Sequence, residues 1–139
     1  MSQETLMSLS PLLTKDQARQ LAPLQLAFVG DAVHALLSRT QLIGQNLKVH
    51  DMHLAATRAV NAVSQAKAMQ LIFPLLTEEE NDMVRRGRNA HPHHGAPKSA
   101  SVGEYALATG LETLLGYLYL TGQTDRLAEL SPYLHAEEP

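Results

Sequence analysis

The sequence predicts an all-α fold, and two observations support that prediction. At Thr14, Thr77 and Ser101, a Thr or Ser is followed three residues later by Gln or Glu, which is the capping-box pattern that opens a helix. Apolar residues recur at helical spacing, whereas no segment shows strand-like alternation or an Asn-Gly or Asp-Gly hairpin turn. We therefore expect helices throughout.

The first two predicted helices lie before residue 43. A short helix follows Thr14, and a second begins near Pro23, whose fixed backbone angle suits a first turn, and contains the run LQLAFVGDAVHALLSR. The residues of this second helix are apolar on almost every side, so we expect it at the centre of a bundle. Its two stripes are Leu26, Val29, Gly30, Val33 and Leu37 on one side and Leu24, Phe28 and Ala35 on the other.

Four further helices and one loop follow the link GQNLKVH. Asp51 is expected to cap a helix that includes the alanine-rich run from Leu54 to about Ile72, and Thr77 opens another that continues to about Arg88. Pro and Gly residues predict a loop over 89–100. Ser101 then opens a long helix that ends before Gly122, and a last helix follows.

Composition predicts one globular domain, 1–139, with its core over about 15–131. Apolar residues make up 45% of the chain and charged ones 18%, which excludes a disordered polymer. There is no cysteine, so disulfides and thiolate metal sites are excluded. The start lacks a signal-peptide pattern and no apolar run approaches a membrane span, so we expect a cytoplasmic protein without membrane contact.

Two acidic residues are the strongest candidates for chemistry. Asp31 lies within an apolar helix, where loss of hydration requires a partner, and Glu112 lies in the apolar run ATGLETLLGYLYL. Two facing carboxylates suit Mg²⁺, which commonly takes one or two of them and keeps water and phosphate as its other ligands. Spacing alone leaves open a structural ion pair of Asp31 with Arg39 or Arg58.

A cationic segment is the second candidate. The formal net charge is −3, which is unusual for a nucleic-acid binder, yet no Asp or Glu occurs from Arg85 to Gly103. Guanidinium groups there can bind phosphate, and the alternative is a solvated helix end that complements the helix dipole. The candidate RNA contacts are Arg85, Arg86, Arg88, Asn89 and Lys98.

Histidines and tyrosines offer weaker alternatives. His91, His93 and His94 could suggest zinc, with help from His50 or His53, but spacing in a Pro/Gly loop is not the helical arrangement of a zinc site. The four tyrosines could stack on nucleic-acid bases, although their helical spacing and the absence of Trp favour packing.

Three segments resemble the ribonuclease III family. LQLAFVGDAV is similar to the motif around its catalytic aspartate, and ETLLGYLYLTG is similar to the motif of its catalytic glutamate, about eighty residues later. LTEEENDMVRRGRNA, followed by PK and a capped helix, resembles the Mini-ribonuclease III branch, which has the catalytic domain and no double-stranded-RNA-binding domain. The resemblance extends from about Leu21 to Leu130.

The resemblance implies an Mg²⁺-dependent homodimer whose two sites cut opposite strands of an RNA duplex and leave a short 3′ overhang. It implies that Asp31 and Glu112 are the metal-binding catalytic acids and that the cationic segment engages RNA. It also implies a substrate, the double-stranded stem of precursor large-subunit (23S) ribosomal RNA. Ala27 and Thr109 stand where longer ribonuclease III enzymes carry two more acids, so the number of metal ions per site stays open.

Two other functions remain open at this point. A catalytically silent RNA-binding or scaffolding dimer would share the fold, and a purely structural helical domain would share the packing. The intact acids favour the nuclease, because a silent relative is expected to have lost Asp31 or Glu112. A zinc hydrolase built on the loop histidines is the most remote alternative.

Overall fold

The computed structural model describes residues 12–90 and 101–134, which form helices and two short 3₁₀ turns, with no strand among them. The all-α prediction is confirmed. None of the described helices combines the length and apolar composition that a bilayer span requires. The helices are α1 Lys15–Arg19, α2 Pro23–Leu42, α3 Val49–Ala59, α4 Ala62–Ile72, α5 Glu78–Asn89, α6 Val102–Leu120 and α7 Thr124–Leu134, with 3₁₀ turns at Ile43–Gln45 and Phe73–Leu75.

All three predicted capping boxes are present. Thr14, Thr77 and Ser101 each accept a hydrogen bond from the backbone N–H three residues on, and the Gln or Glu there accepts one from the cap's own N–H. Each box satisfies two backbone donors that would otherwise lack partners at a helix start. Pro23 occupies the first turn of α2, as predicted.

The segment predicted as one helix over about 54–72 is two helices. α3 begins at Val49 with Lys48 as its N-cap, so Asp51 lies inside the first turn and does not cap it. The chain breaks after Ala59, and the Asn61 side chain accepts a hydrogen bond from the backbone N–H of Ser64 at 2.9 Å to start α4. An Asn cap marks this break without any Gly or Pro, which is why helical periodicity alone misses it.

The central helix is α6, not α2. Five hydrophobic α6 residues have no exposed surface, and α2, α4 and α5 pack around them. One predicted stripe of α2, including Leu26 and Val33, is buried as expected, but Phe28 on the other stripe is 82% exposed. The prediction that α2 is covered on all sides is therefore wrong for the single chain. The fully buried hydrophobic residues of α6 are Leu111, Leu114, Leu115, Tyr117 and Leu118.

Two glycines let α2 and α6 cross at close range. A Cβ added to Gly30 would lie 1.7 Å from the carbonyl oxygen of Glu112, and one added to Gly116 would lie 1.9 Å from that of Leu26. These distances are far below van der Waals contact, so the backbones touch only because both positions lack a side chain. The crossing sets the position of Asp31 relative to Glu112.

Replacing Gly116 with Ala should therefore destabilise the fold. Ala normally favours a helix over Gly by about 1 kcal/mol. Here the methyl group must push α2 away, and overpacking of this kind costs about 1–3 kcal/mol. We expect Gly116→Ala to lower the free energy of unfolding measured with urea.

Gly103 in the same helix provides the matched control. A Cβ there meets no atom closer than 3.9 Å, so Gly103→Ala should leave stability unchanged or raise it. Equal stability of the two variants would mean that the close crossing is not required.

Candidate active site

The α2–α6 crossing brings the two candidate acids into direct contact. Asp31 immediately follows Gly30, the residue that touches the backbone of Glu112. A hydrogen bond with the Asp31 side chain is among the causes that raise the pKa of Glu112, so the two carboxyl groups lie within interaction distance of each other. Two carboxyl groups can share such a bond only when one of them carries a proton. The pairing predicted from helical spacing is thus present in the structure.

Burial and the neighbouring acid raise the pKa of Glu112 to about 8. Loss of hydration is the largest cause, and the hydrogen bond and negative charge of Asp31 follow. A hydrogen bond from Gln65 acts in the opposite direction. Perturbations of this kind concentrate at functional sites, since a group that is costly to ionise needs a compensating partner.

Asp31 itself is exposed, so the expected burial of this residue is wrong. It lies one helical turn after Phe28, on the side of α2 that the rest of the chain leaves uncovered. No ion pair within 4.0 Å joins Asp31 or Glu112 to Arg39 or Arg58, all four of which are described. The structural ion pair that the sequence left open is therefore absent.

Gln65 contacts the site from a third helix. Its Nε2 donates a hydrogen bond to Oε2 of Glu112 at 3.4 Å, and its side chain is almost fully buried on α4. Sequence reasoning missed this residue. The available signal was its position one and two turns before Met69 and Ile72, which are core residues of the same helix face. A polar residue at a core position needs a partner.

Ala27 and Thr109, which stand where the longer enzymes carry two more acids, are buried and uncharged. Ala27 lies one turn before Asp31, and Thr109 lies one turn before Glu112. The Thr109 hydroxyl donates to the carbonyl oxygen of Tyr105 at 3.0 Å, and its lone pairs remain available as acceptors. Neither position therefore adds a third carboxyl group to Asp31 and Glu112.

These residues fit a hard divalent cation. Carboxylate oxygens are the ligands that Mg²⁺ prefers, and a cation can replace the proton that the paired acids share. Within the described ranges, no cluster of three or more His, Cys, Asp or Glu side chains is arranged to hold a metal ion. His91, His93 and His94 lie outside the described residues, so the zinc alternative is untested.

The predicted cationic segment divides into residues with different surroundings. Arg85 pairs with Asp82 on the exposed surface of α5. Arg88 and Asn89 are exposed at the end of that helix, and the aliphatic stem of Arg88 covers Gly110 of α6. Gly110 precedes Glu112 by two residues, a rise of about 3 Å along the helix axis. Lys98 lies outside the described residues.

Arg86 has a structural role in this fold. Its Nη2 atom donates to the backbone carbonyl oxygens of Arg19 and Leu21 at 3.1 and 3.2 Å. These carbonyls lie at the last residue of α1 and in the link to α2, so the guanidinium fixes the entry to the helix that carries Asp31. The Arg86 guanidinium therefore already has hydrogen-bond partners within the fold.

Comparison with known proteins places the chain in a family. A model of the ribonuclease III domain matches residues 24–123. Mini-ribonuclease 3 of Symbiobacterium thermophilum is 50% identical over 111 residues, 79% of this chain and 85% of the relative. That of a Thermoanaerobacter species is 47% identical over 120 residues, 86% and 84% of the two chains. The chain belongs to the Mini-ribonuclease III branch of the ribonuclease III family.

A solved structure supports the same fold. The crystal structure of a protein from Fusobacterium nucleatum superposes with a TM-score of 0.74 at 28% identity, covering 82% of this chain and 91% of the other. Membership of the ribonuclease III family makes the protein an endoribonuclease, and double-stranded RNA is the substrate class of that family. Asp31 and Glu112 both fall inside the matched region.

The paired acids predict a characteristic pH dependence of stability. Between the ordinary glutamate pKa of 4.5 and the value of about 8, the folded chain keeps a proton that the unfolded chain has lost. Raising the pH through this range therefore favours unfolding. In EDTA, the contribution of Glu112 to the free energy of unfolding should fall as the pH rises from 5 to 8.

Glu112→Gln removes this titration while keeping the shape of the side chain. The stability difference between wild type and Glu112→Gln, measured by urea unfolding at several pH values, isolates the effect from the histidines. We expect wild type to lose stability relative to the variant as the pH rises. A constant difference would show that Glu112 ionises normally.

Proposed function

We propose that the protein is an Mg²⁺-dependent, homodimeric endoribonuclease that cuts duplex RNA at a site formed by Asp31 and Glu112. The contact between these two carboxyl groups at the α2–α6 crossing is the observation that carries the proposal. We further propose the stem of precursor 23S ribosomal RNA as the substrate. That part rests on the resemblance of the motifs alone.

In the proposed mechanism, Asp31 and Glu112 would give up their shared proton and would hold the cation through their carboxylate oxygens. Mg²⁺, when bound, would polarise the scissile phosphate and lower the pKa of an attacking water molecule. Glu112 is held between α2 and α4, which restricts the direction of its carboxylate. Asp31 remains exposed and so faces the side from which a duplex can approach.

The RNA backbone is proposed to lie along the end of α5. Arg88 and Asn89 are exposed at that end, and Arg88 has no ion pair within 4.0 Å among the described residues. Guanidinium and amide donors suit the phosphates and 2′-hydroxyls by which A-form RNA is recognised. Arg85 and Lys98 are proposed to contact RNA as well. Arg86 is proposed to contribute by holding α2 in place.

The second copy of the chain is proposed to cover the outer stripe of α2, defined as Leu24, Phe28 and Leu36. These residues are 42%, 82% and 63% exposed. Apolar stripes of this kind on a helix mark association surfaces, and a two-fold axis lets one stripe pair with its own copy.

Removing either acid should abolish cutting. We expect Asp31→Asn and Glu112→Gln each to lower the cleavage rate of an RNA stem in Mg²⁺ by at least about 10²–10³-fold, the usual cost of losing one preorganised electrostatic group. Both changes keep side-chain volume, so folding and duplex binding in EDTA should persist. Gel analysis of an end-labelled stem measures both properties.

Asp125→Asn is the matched control, because Asp125 is an exposed acid in the first turn of α7. It should cut as wild type does. Normal cutting by Asp31→Asn or Glu112→Gln would refute the site. Binding without cutting by the wild-type protein would instead favour the silent RNA-binding dimer.

Placing a charge in the outer stripe should separate the subunits. We expect Phe28→Glu to shift the protein from dimer to monomer in sedimentation equilibrium, because the buried carboxylate would have no partner. Leu71→Glu is the control, since Leu71 is 48% exposed on α4, away from the outer stripe. A dimeric Phe28→Glu protein would mean that the subunits associate through another surface.

A further inference from the structure

The acid pair is supported by a buried amide on a helix that carries neither acid. Asp31 lies on α2, Glu112 on α6, and Gln65 on α4, so three separate helices meet at one point. Gln65 is 3% exposed, and its Nε2 lies 3.4 Å from Oε2 of Glu112. This residue belongs to none of the segments that resemble a known motif.

A buried amide is costly in this position unless it forms a hydrogen bond. The buried face of α4 is otherwise apolar, and a Met or Leu of similar volume would pack there without desolvating a polar group. The hydrogen bond to Glu112 offsets that cost. The other buried residues of α4 are Ala66, Ala68, Met69 and Ile72.

The direction of the hydrogen bond determines what Gln65 can do. An amide N–H donates, and an ionised carboxylate accepts more strongly than a neutral carboxyl group. The amide N–H of Gln65 therefore suits a carboxylate oxygen of Glu112, and this contact restricts the direction in which the Glu112 side chain points. Its contact also occupies one carboxylate oxygen and orients the other.

We infer that Gln65 is a positioning residue that holds the Glu112 carboxylate in the orientation needed to bind a divalent cation. This inference rests on the proposed function, because it requires the acids to form a metal site. Groups that orient metal ligands in this way commonly change metal affinity by about 10–100-fold when they are removed.

Gln65→Met tests the inference, because it keeps the length of the side chain and removes the donor. Mn²⁺ alone is the probe, since it accepts the oxygen ligands that Mg²⁺ accepts, and loss of its free EPR signal reports binding without RNA or catalysis. We expect the dissociation constant of Gln65→Met to rise about 10–100-fold. Urea unfolding in EDTA should show equal or greater stability than wild type.

Gln70→Met is the matched control, because Gln70 is exposed on the same helix. It should bind Mn²⁺ as wild type does. Gln65→Leu provides a second apolar replacement of different shape, which keeps the test valid if Met packs badly. Asp31→Asn shows which part of the bound Mn²⁺ occupies the proposed site.

The outcomes separate the inference from the proposed function. Weakened Mn²⁺ binding by folded Gln65→Met or Gln65→Leu, with Gln70→Met unchanged, supports the inference. Wild-type affinity in either apolar variant, or loss of folding in both, would make Gln65 a structural residue and overturn it. Equal Mn²⁺ binding by wild type and Asp31→Asn would overturn the proposed metal site itself.

Discussion

The close crossing of α2 and α6 is the constraint on which the site depends. Gly30 and Gly116 allow the two backbones to touch, and no larger residue fits at either position without moving a helix. Asp31 and Glu112 lie beside these glycines, so their separation is fixed by backbone contact and not by flexible side chains. A second pair, Gly87 and Gly110, packs α5 against α6 in the same way and places the stem of Arg88 over Gly110.

The same crossing creates an unfavourable electrostatic arrangement. Glu112 is removed from water and placed against another acid, which raises its pKa to about 8. A protein selected only for stability would not bring two carboxyl groups together in this way, because replacing them with neutral groups of similar shape would relieve the repulsion. In the proposed metal site, a cation would offset this repulsion, and Gln65 would donate a hydrogen bond to the Glu112 carboxylate. The unfavourable pairing of the two acids is thus consistent with the proposed function.

The cationic end of α5 shows that residues adjacent in sequence can act at different places. Arg86 and Arg88 are two positions apart, so a helix directs them to different sides. Arg86 holds the carbonyl groups that precede α2, and Arg88 extends from the surface over α6. Both arginines therefore serve the site, one through the fold and the other through the proposed RNA contact. The exposed outer stripe of α2 similarly suggests that a single chain is incomplete.

The sequence by itself determined the helical class, the capped helix starts at Thr14, Thr77 and Ser101, the two acids and the family. These features depend on local hydrogen bonds and short motifs, which a linear pattern records directly. Only the tertiary structure decided that α6 is central, that Phe28 and Asp31 are exposed, and that Gln65 reaches Glu112. Those properties depend on which helices meet and at what distance. Helical periodicity reports that a residue is apolar or polar, but not which neighbouring helix covers it.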